Sequence, residues 1–325
     1  SPSVSNCTFL NNQANNGGGM FNTYGSHPSV SNCNFTGNQA TQSGGGVYNS
    51  GSSPSVSNCN FSGNQANIFG GGMLNAFSSS PTLINVTFSG NQASNGGGGM
   101  YNHISSPNSR NCIFWGNSTE IVNDNSNPTY THCLVQGQNP AGTGNLDGTL
   151  ASNNPRFVSQ PAIGLGTGGD LRLQACSPAI NAGDPATTSA TVGNVDLGGN
   201  PRFYNSGVVD IGAYEYQSTY DVCSCISNNG IVYVNASASG GNNNGRSWAN
   251  AYTDLQSALT LASLNPSCVS QIWVAAGTYQ PAANASFSML PGVAILGGFP
   301  TTGNPTLTDR NWSANLTILR GNGSR

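Results

Sequence analysis

The sequence predicts an all-β fold, a right-handed single-stranded parallel β-helix, and three observations carry that expectation. A block of about 26 residues recurs along the first 150 positions, its strands are short apolar–polar alternations, and no run within the blocks shows a helical apolar face. The prolines that mark the block fall at Pro2, Pro28, Pro54, Pro81 and Pro107, in steps of 26, 26, 27 and 26, and a shorter copy starts at Pro128. Each copy reads approximately SPSVSNCxFxxNQAxxxGGGMYN. A period of this length marks one supersecondary unit stacked on the next.

Within a copy, Val4 to Phe9 alternates β-branched and aromatic residues with polar ones and is bounded by Asn, Gly and Pro, which makes it a strand. Strands repeated identically without hairpin spacing suit a coil that advances about 4.8 Å per turn, so that each residue overlies its counterpart. Val4, Val30, Val56 and Leu83 then form one interior column, and Phe9, Phe35, Phe61, Phe88 and Phe114 a second. Met20, Val47, Met73 and Met100 fill a third wall. Asn12, Asn38, Asn64, Asn91 and Asn117 recur at a corner, as do Asn22, Asn49, Asn75 and Asn102; left-handed backbone and amide ladders are expected at both. The glycine runs 17–19, 44–46, 70–72 and 96–99 permit tight backbone where no Cβ fits.

Cys7, Cys33, Cys59, Cys112 and Cys133 share one slot, which Val86 takes in the fourth copy. A metal site or an obligatory disulfide would not accept valine, whereas an interior column of small apolar groups would. Cys176 is expected to behave likewise. Cys223, Cys225 and Cys268 lie outside the ladder, and a bridge from Cys268 to Cys225 or Cys223 suits an oxidising location. The lone CxC has no second pair to complete a zinc site.

On these residues the chain resembles the pectin-lyase-like β-helix superfamily, and within it bacterial surface proteins such as polymorphic outer-membrane protein repeats. Ser177-Pro-Ala-Ile-Asn-Ala-Gly-Asp184, Asp196-Leu-Gly-Gly-Asn-Pro-Arg202 and Asp210-Ile-Gly-Ala-Tyr-Glu215 resemble the closing segment of choice-of-anchor β-helix proteins. Ile231 to Asn235, Gly245 to Tyr252, Ile272 to Tyr279, Gly297 to Phe299 and Thr317 to Gly321 resemble the opening segment of the same architecture. The order implies the later part of one β-helix over 1–217, with coils in 1–150 and a closing segment in 151–217. A junction at 218–230 would follow, then the N-terminal capping part of a second β-helix over 231–325. A helix is expected from Ser247 to about Ser263, with Leu255, Ala258, Leu259 and Ala262 on one face; the resemblance implies that it covers a β-helix end. Ser1 falls inside a repeat and no signal peptide precedes it, so the sequence reads as a piece of something longer. Open coils at both ends imply association with further copies, head-to-tail or in tandem.

Charged residues make up only 6% of the chain, all eight basic ones are arginines, and the formal net charge is −3. There is no basic field for nucleic acid, and no apolar run long enough to span a bilayer. Residues 1–109 contain no Asp, Glu, Lys or Arg, and His27 and His103 occupy different slots, so the best-formed coils offer nothing for acid–base catalysis. The charges gather in the closing segment. Asp184, Asp196 and Asp210 are candidate calcium ligands, calcium being the cofactor such a set would take, but satisfaction of loop backbone by Asp and Arg is the favoured reading. Tyr24, Tyr48 and Tyr101 are candidates for a sugar-binding wall, although Tyr24 does not share the slot of the other two. The function expected is a structural extracellular scaffold (stalk, fibre or adhesin) on a bacterial surface, not an enzyme. The alternative is a β-helix that binds or cleaves extracellular polysaccharide.

Overall fold

The structure is a computed structural model that describes residues 1–204, 208–217, 230–264, 269–283 and 285–321. The chain divides into two compact units, Ser1–Thr219 and Tyr220–Arg325.

The first unit is a parallel β-solenoid whose coils have three walls. The first wall is a 10-stranded sheet in which Ser55–Ser62 and Thr82–Ser89 are the longest members. The second wall stacks Gln13–Asn16, Gln39–Ser43, Gln65–Ala66 and Gln92–Ala93. The third stacks Met20–Thr23, Val47–Ser50, Met73–Ala76, Met100–His103 and Ile121–Asp124. All these pairings are parallel, and each residue pairs with its counterpart one repeat away. Val4 opposes Val30, Val30 opposes Val56, and Val56 opposes Leu83. A one-residue slip would turn the valines outward, so burial fixes the register.

The core forms because alternate residues of each wall point inward. Phe35, Phe61, Phe88 and Phe114 are fully buried, and the rings from Phe9 to Phe114 lie near-parallel with centroids 4.5–4.7 Å apart. Met73 and Met100 close the core from the third wall. The glycine runs sit where successive coils touch through their main chains: a Cβ on Gly45 would lie 2.4 Å from the carbonyl oxygen of Gly71. No side chain fits there.

Two amide ladders run along the coil. Each Asn Nδ2 in the series Asn12, Asn38, Asn64, Asn91 donates to the Oδ1 of the next member at 2.8–2.9 Å. The second amide hydrogen of Asn38, Asn64 and Asn91 goes to a phenylalanine carbonyl, so these buried groups are satisfied. In the series Asn22, Asn49, Asn75, Asn102 each Nδ2 likewise donates to the Oδ1 of the next member, at 2.8–2.9 Å, and the row ends on Asn123. Left-handed backbone does not fall on these two series, as the sequence suggested. It falls on Asn6, Asn32, Asn58, Asn85 and Asn111, with φ between 49° and 54°, and on Gly37, Gly63, Gly90 and Gly116. The ladder asparagines serve through their amides, whereas the sharp corners are turned by the residues before Cys and before Asn38 and its equivalents.

The closing segment does not add coils. Phe157–Ser159 pairs antiparallel with Asp170–Leu173, and both the loop between them and the chain that follows lie against the outside of the coils. It includes a single-turn helix, α1 (Ser189–Val192).

In the second unit, Ile231–Val234, Gln271–Ala275 and Ala294–Phe299 form a parallel sheet, and Gly277–Tyr279 pairs parallel with Thr317–Leu319. Trp248, Trp273 and Phe299 pack ring against ring on one face. The helix expected over 247–263 is shorter. Trp248–Asn250 is a 3-10 turn, Ala251 is extended, and α2 spans Leu255–Leu264. The interruption arises because the main chain of Tyr252 bonds to Tyr233 and Asn235 at the sheet edge. Asp254 then starts the helix, accepting from the Ser257 N–H. Leu255, Ala258, Leu259 and Ala262 are buried, and α2 packs on Ile231–Val234. Among the described residues no helix is long and apolar enough to cross a membrane.

Candidate functional site

The outer face of the third wall carries a groove of about 260 Å³. Its origin lies in the pleat. Met73 and Asn75 point into the core, so Leu74 between them must face outward, as must Tyr48 and Tyr101 in the neighbouring coils. Phe21, Tyr48, Leu74, Tyr101 and Val122 are successive partners across this wall, as are Thr23, Ser50, Ala76, His103 and Asp124. The central coil therefore contributes small aliphatic side chains where its neighbours contribute tyrosines, and a depression results.

Phe69 lies against Tyr101 with ring centroids 4.4 Å apart, while Phe77, 63% exposed, borders the groove beside Ala76. Besides the tyrosines and Ser43, whose hydroxyl accepts the Phe69 N–H, the polar side chains of the groove are a histidine and a carboxylate. His103 Nδ1 and Asp124 Oδ2 are 2.6 Å apart, both partly exposed. Burial raises the Tyr101 phenol above its usual value, and the Asp124 charge adds to this. The pair can hydrogen-bond a ligand. Asp124 is the one carboxylate among the described residues that line the groove, whereas hydrolysis of a glycosidic bond ordinarily uses two. Tyr48 and Tyr101 stand out in the sequence because they share a repeat slot, whereas Phe69, Phe77 and the His103–Asp124 pair do not stand out. Tyr24 stands apart in a turn, 97% exposed.

The charged residues of the closing segment gather elsewhere, against the first wall. Arg202 is fully buried; its guanidinium donates to the Ala213 carbonyl at 2.6 Å and to Asn58 Oδ1 at 3.1 Å, and lies 3.5 Å from Glu215. Asn85 Nδ2 donates to the carbonyls of Asp210 and Gly212, and Asn111 Nδ2 donates to Thr187 Oγ1. The left-handed corner asparagines thus hold the returning chain. A second row of corners does the same through backbone alone: Gly164 and Gly166 donate to the carbonyls of Gly90 and Gly63. Burial pushes Asp210 up to about 6 and Glu215 up to about 8, the Asp210 charge adding to the second. Burial likewise pulls the Arg202 guanidinium down, against the attraction of the carboxylates.

The calcium candidates are brought near this cluster but do not fit the ion. Both oxygens of Asp210 accept backbone N–H groups, from Asn181 and Tyr216, and both of Asp196 accept from Asn200 and Glu215. Asp184 accepts from Ala186 and faces Arg110 at 3.5 Å. Calcium takes six to eight oxygens, and among the described residues no group of three or more His, Cys, Asp or Glu is placed to hold a metal ion. In the cysteine slot, Cys33, Cys59, Cys112 and Cys133 are buried free thiols in one core with Val86, and Cys7 is exposed rather than interior. Burial raises the Cys59 and Cys112 thiols well above the usual value. The Cys225–Cys268 bridge, like Cys223, lies outside the described residues.

No protein family, curated protein or solved structure matches the chain.

Proposed function

We propose that this protein is a rigid extracellular scaffold, a stalk, fibre or adhesin element of a bacterial surface, that works by shape and display and not by catalysis. The observation that supports this most is the uninterrupted registration of the coils. The Phe column and both Asn ladders continue through five successive coils with their polar groups paired. Such an array resists bending because displacement of one coil breaks the ladders on both of its sides. Further copies of the chain, joined head-to-tail or in tandem, are the partners this reading implies. Negative-stain images and intact mass of native material test it: stiff filaments or long covalent rods are expected, and dispersed flexible particles would contradict it. Incubation with pectin, alginate or host glycans, with and without calcium, is expected to give neither new reducing ends nor unsaturated products.

A second reading, that the solenoid binds carbohydrate, is supported by the groove on the third wall. Aromatic rings, Phe77 exposed and Tyr48, Phe69 and Tyr101 half-buried, stand beside a polar pair on a flat sheet and suit sugar rings, which offer apolar C–H faces and hydroxyl edges. The two readings are compatible in an adhesin.

A further inference from the structure

We infer that the groove over Leu74 and Ala76 takes an uncharged glycan chain laid along the coil axis, with Tyr48 and Tyr101 as its two stacking platforms. The inference rests on the carbohydrate-binding reading and narrows it to a ligand class and a direction.

The direction follows from the register. Tyr48, Leu74 and Tyr101 are consecutive partners across a parallel sheet, so the outward side chains advance by about 4.8 Å per coil. That rise is close to the length of one pyranose in an extended chain. A chain parallel to the axis would therefore place alternate sugars over the two tyrosines, with the intervening sugar bridging the gap above Leu74, itself only 5% exposed. A chain lying across the coils would leave the row after one ring.

The ligand class follows from charge. Among the described residues no Lys or Arg lines the groove, and Asp124 is the one carboxylate there. Aromatic faces carry negative quadrupole density, so they attract the slightly positive C–H faces of a neutral sugar and repel a carboxylate or sulfate. Asp124 adds to that repulsion. An organic cation would be attracted by the same faces, but the floor here is aliphatic and Asp124 is already engaged with His103. The rings form a row instead of enclosing one point. His103 and Asp124 then serve the hydroxyl edge at one end, supplying hydrogen bonds that an apolar ligand could not use.

The test is isothermal titration of the full chain with cellohexaose, xylohexaose, mannohexaose and chitohexaose, alongside hexagalacturonate and choline. At least one uncharged hexaose is expected to bind, and its disaccharide to bind at least tenfold more weakly. Tyr48→Ala, Tyr101→Ala and the exposed Phe77→Ala are each expected to weaken binding several-fold, with Tyr24→Ala neutral; circular dichroism confirms that each variant is folded. Should a tyrosine variant unfold, Phe77→Ala still reads the site. Hexagalacturonate binding in place of the neutral chains would overturn the inference and leave the carbohydrate reading standing. Choline binding alone, or no binding at all, would remove both. Neutral binding unaffected by every groove variant would place the sugar elsewhere and overturn the inference.

Discussion

The Glu120 carboxylate accepts both the main-chain and the side-chain N–H of Asn117, the place that Asn117 itself fills for Asn91. An amide ladder leaves its last member's donors without a partner, and a buried carboxylate three residues along the chain supplies one. Burial raises Glu120 to about 7, and the bonds from Asn117 oppose that rise.

Glu120→Ala should therefore leave two buried donors unsatisfied and cost roughly 2–6 kcal/mol, at 1–3 kcal/mol per stranded group. Urea titration of the first unit's unfolding measures this. Glu120→Gln retains one acceptor oxygen and should lose less, while removing the site's own titration.

The phenylalanine column makes a graded prediction. Phe61 is fully buried between Phe35 and Phe88 at 4.6 Å on either side, whereas Phe9 is only partly buried and has one ring neighbour. Phe61→Ala is expected to cost about 3–5 kcal/mol and Phe9→Ala distinctly less. A double-mutant cycle on Phe35 and Phe61 should return a coupling of about 0.5–1.5 kcal/mol, the contribution of stacking beyond burial.

The clasp of Arg202, Asp196, Asp210 and Glu215 makes stability depend on pH. Asp210 rises from 3.8 to about 6 and Glu215 from 4.5 to about 8, so the folded chain holds protons that the unfolded chain releases. The stabilisation is complete below about pH 4 and is lost as pH rises through 6 and then 8, with a slope of about 1.4 kcal/mol per pH unit for each proton retained. Thermal melts from pH 4 to 9 should show a falling midpoint. Glu215→Gln should remove that residue's share of the fall from about 4.5 to 8, so the slope drops below pH 6 as well and the curve flattens most between 7 and 8, above the Glu120 value of about 7. A midpoint that rises over this range would refute the assignment.

How much of this could be read from the sequence depends on range. Val4, Phe9, Cys33, Asn38 and Met73 recur at a fixed period, and a strict period forces like onto like, so the columns and ladders were legible residue by residue. The groove was half legible: inward Met73 and Asn75 require Leu74 to face out, and Tyr48 and Tyr101 follow. Phe69 and Phe77 lie in turns, where the pleat gives no direction. The pairing of His103 with Asp124 was hidden because that coil is shortened to 21 residues, outside the regular step. The return of 157–204 and 208–217 along the coils was not legible at all. It depends on Asn58, Asn85 and Gly63 meeting residues more than 100 positions away, and no period links them.

That return makes the last prediction. Gly63 has φ +60°, and a Cβ there would lie 2.0 Å from the carbonyl oxygen of Gly166 on the returning chain. Gly51 has φ +62° in an equally sharp turn, but its nearest heavy atom to a Cβ is 3.9 Å away. Alanine at either position bears the same left-handed backbone cost, about 1–2 kcal/mol. Only at Gly63 must the returning chain also move, and such overpacking typically adds about 1–3 kcal/mol. The difference in unfolding free energy between Gly63→Ala and Gly51→Ala therefore isolates the contact between coil and returning chain. Hydrogen exchange gives the local readout: the amides of Gly164 and Gly166 should lose protection in Gly63→Ala and retain it in Gly51→Ala. Equal behaviour of the two variants would mean that residues 160–166 do not rest on the glycine corners in solution.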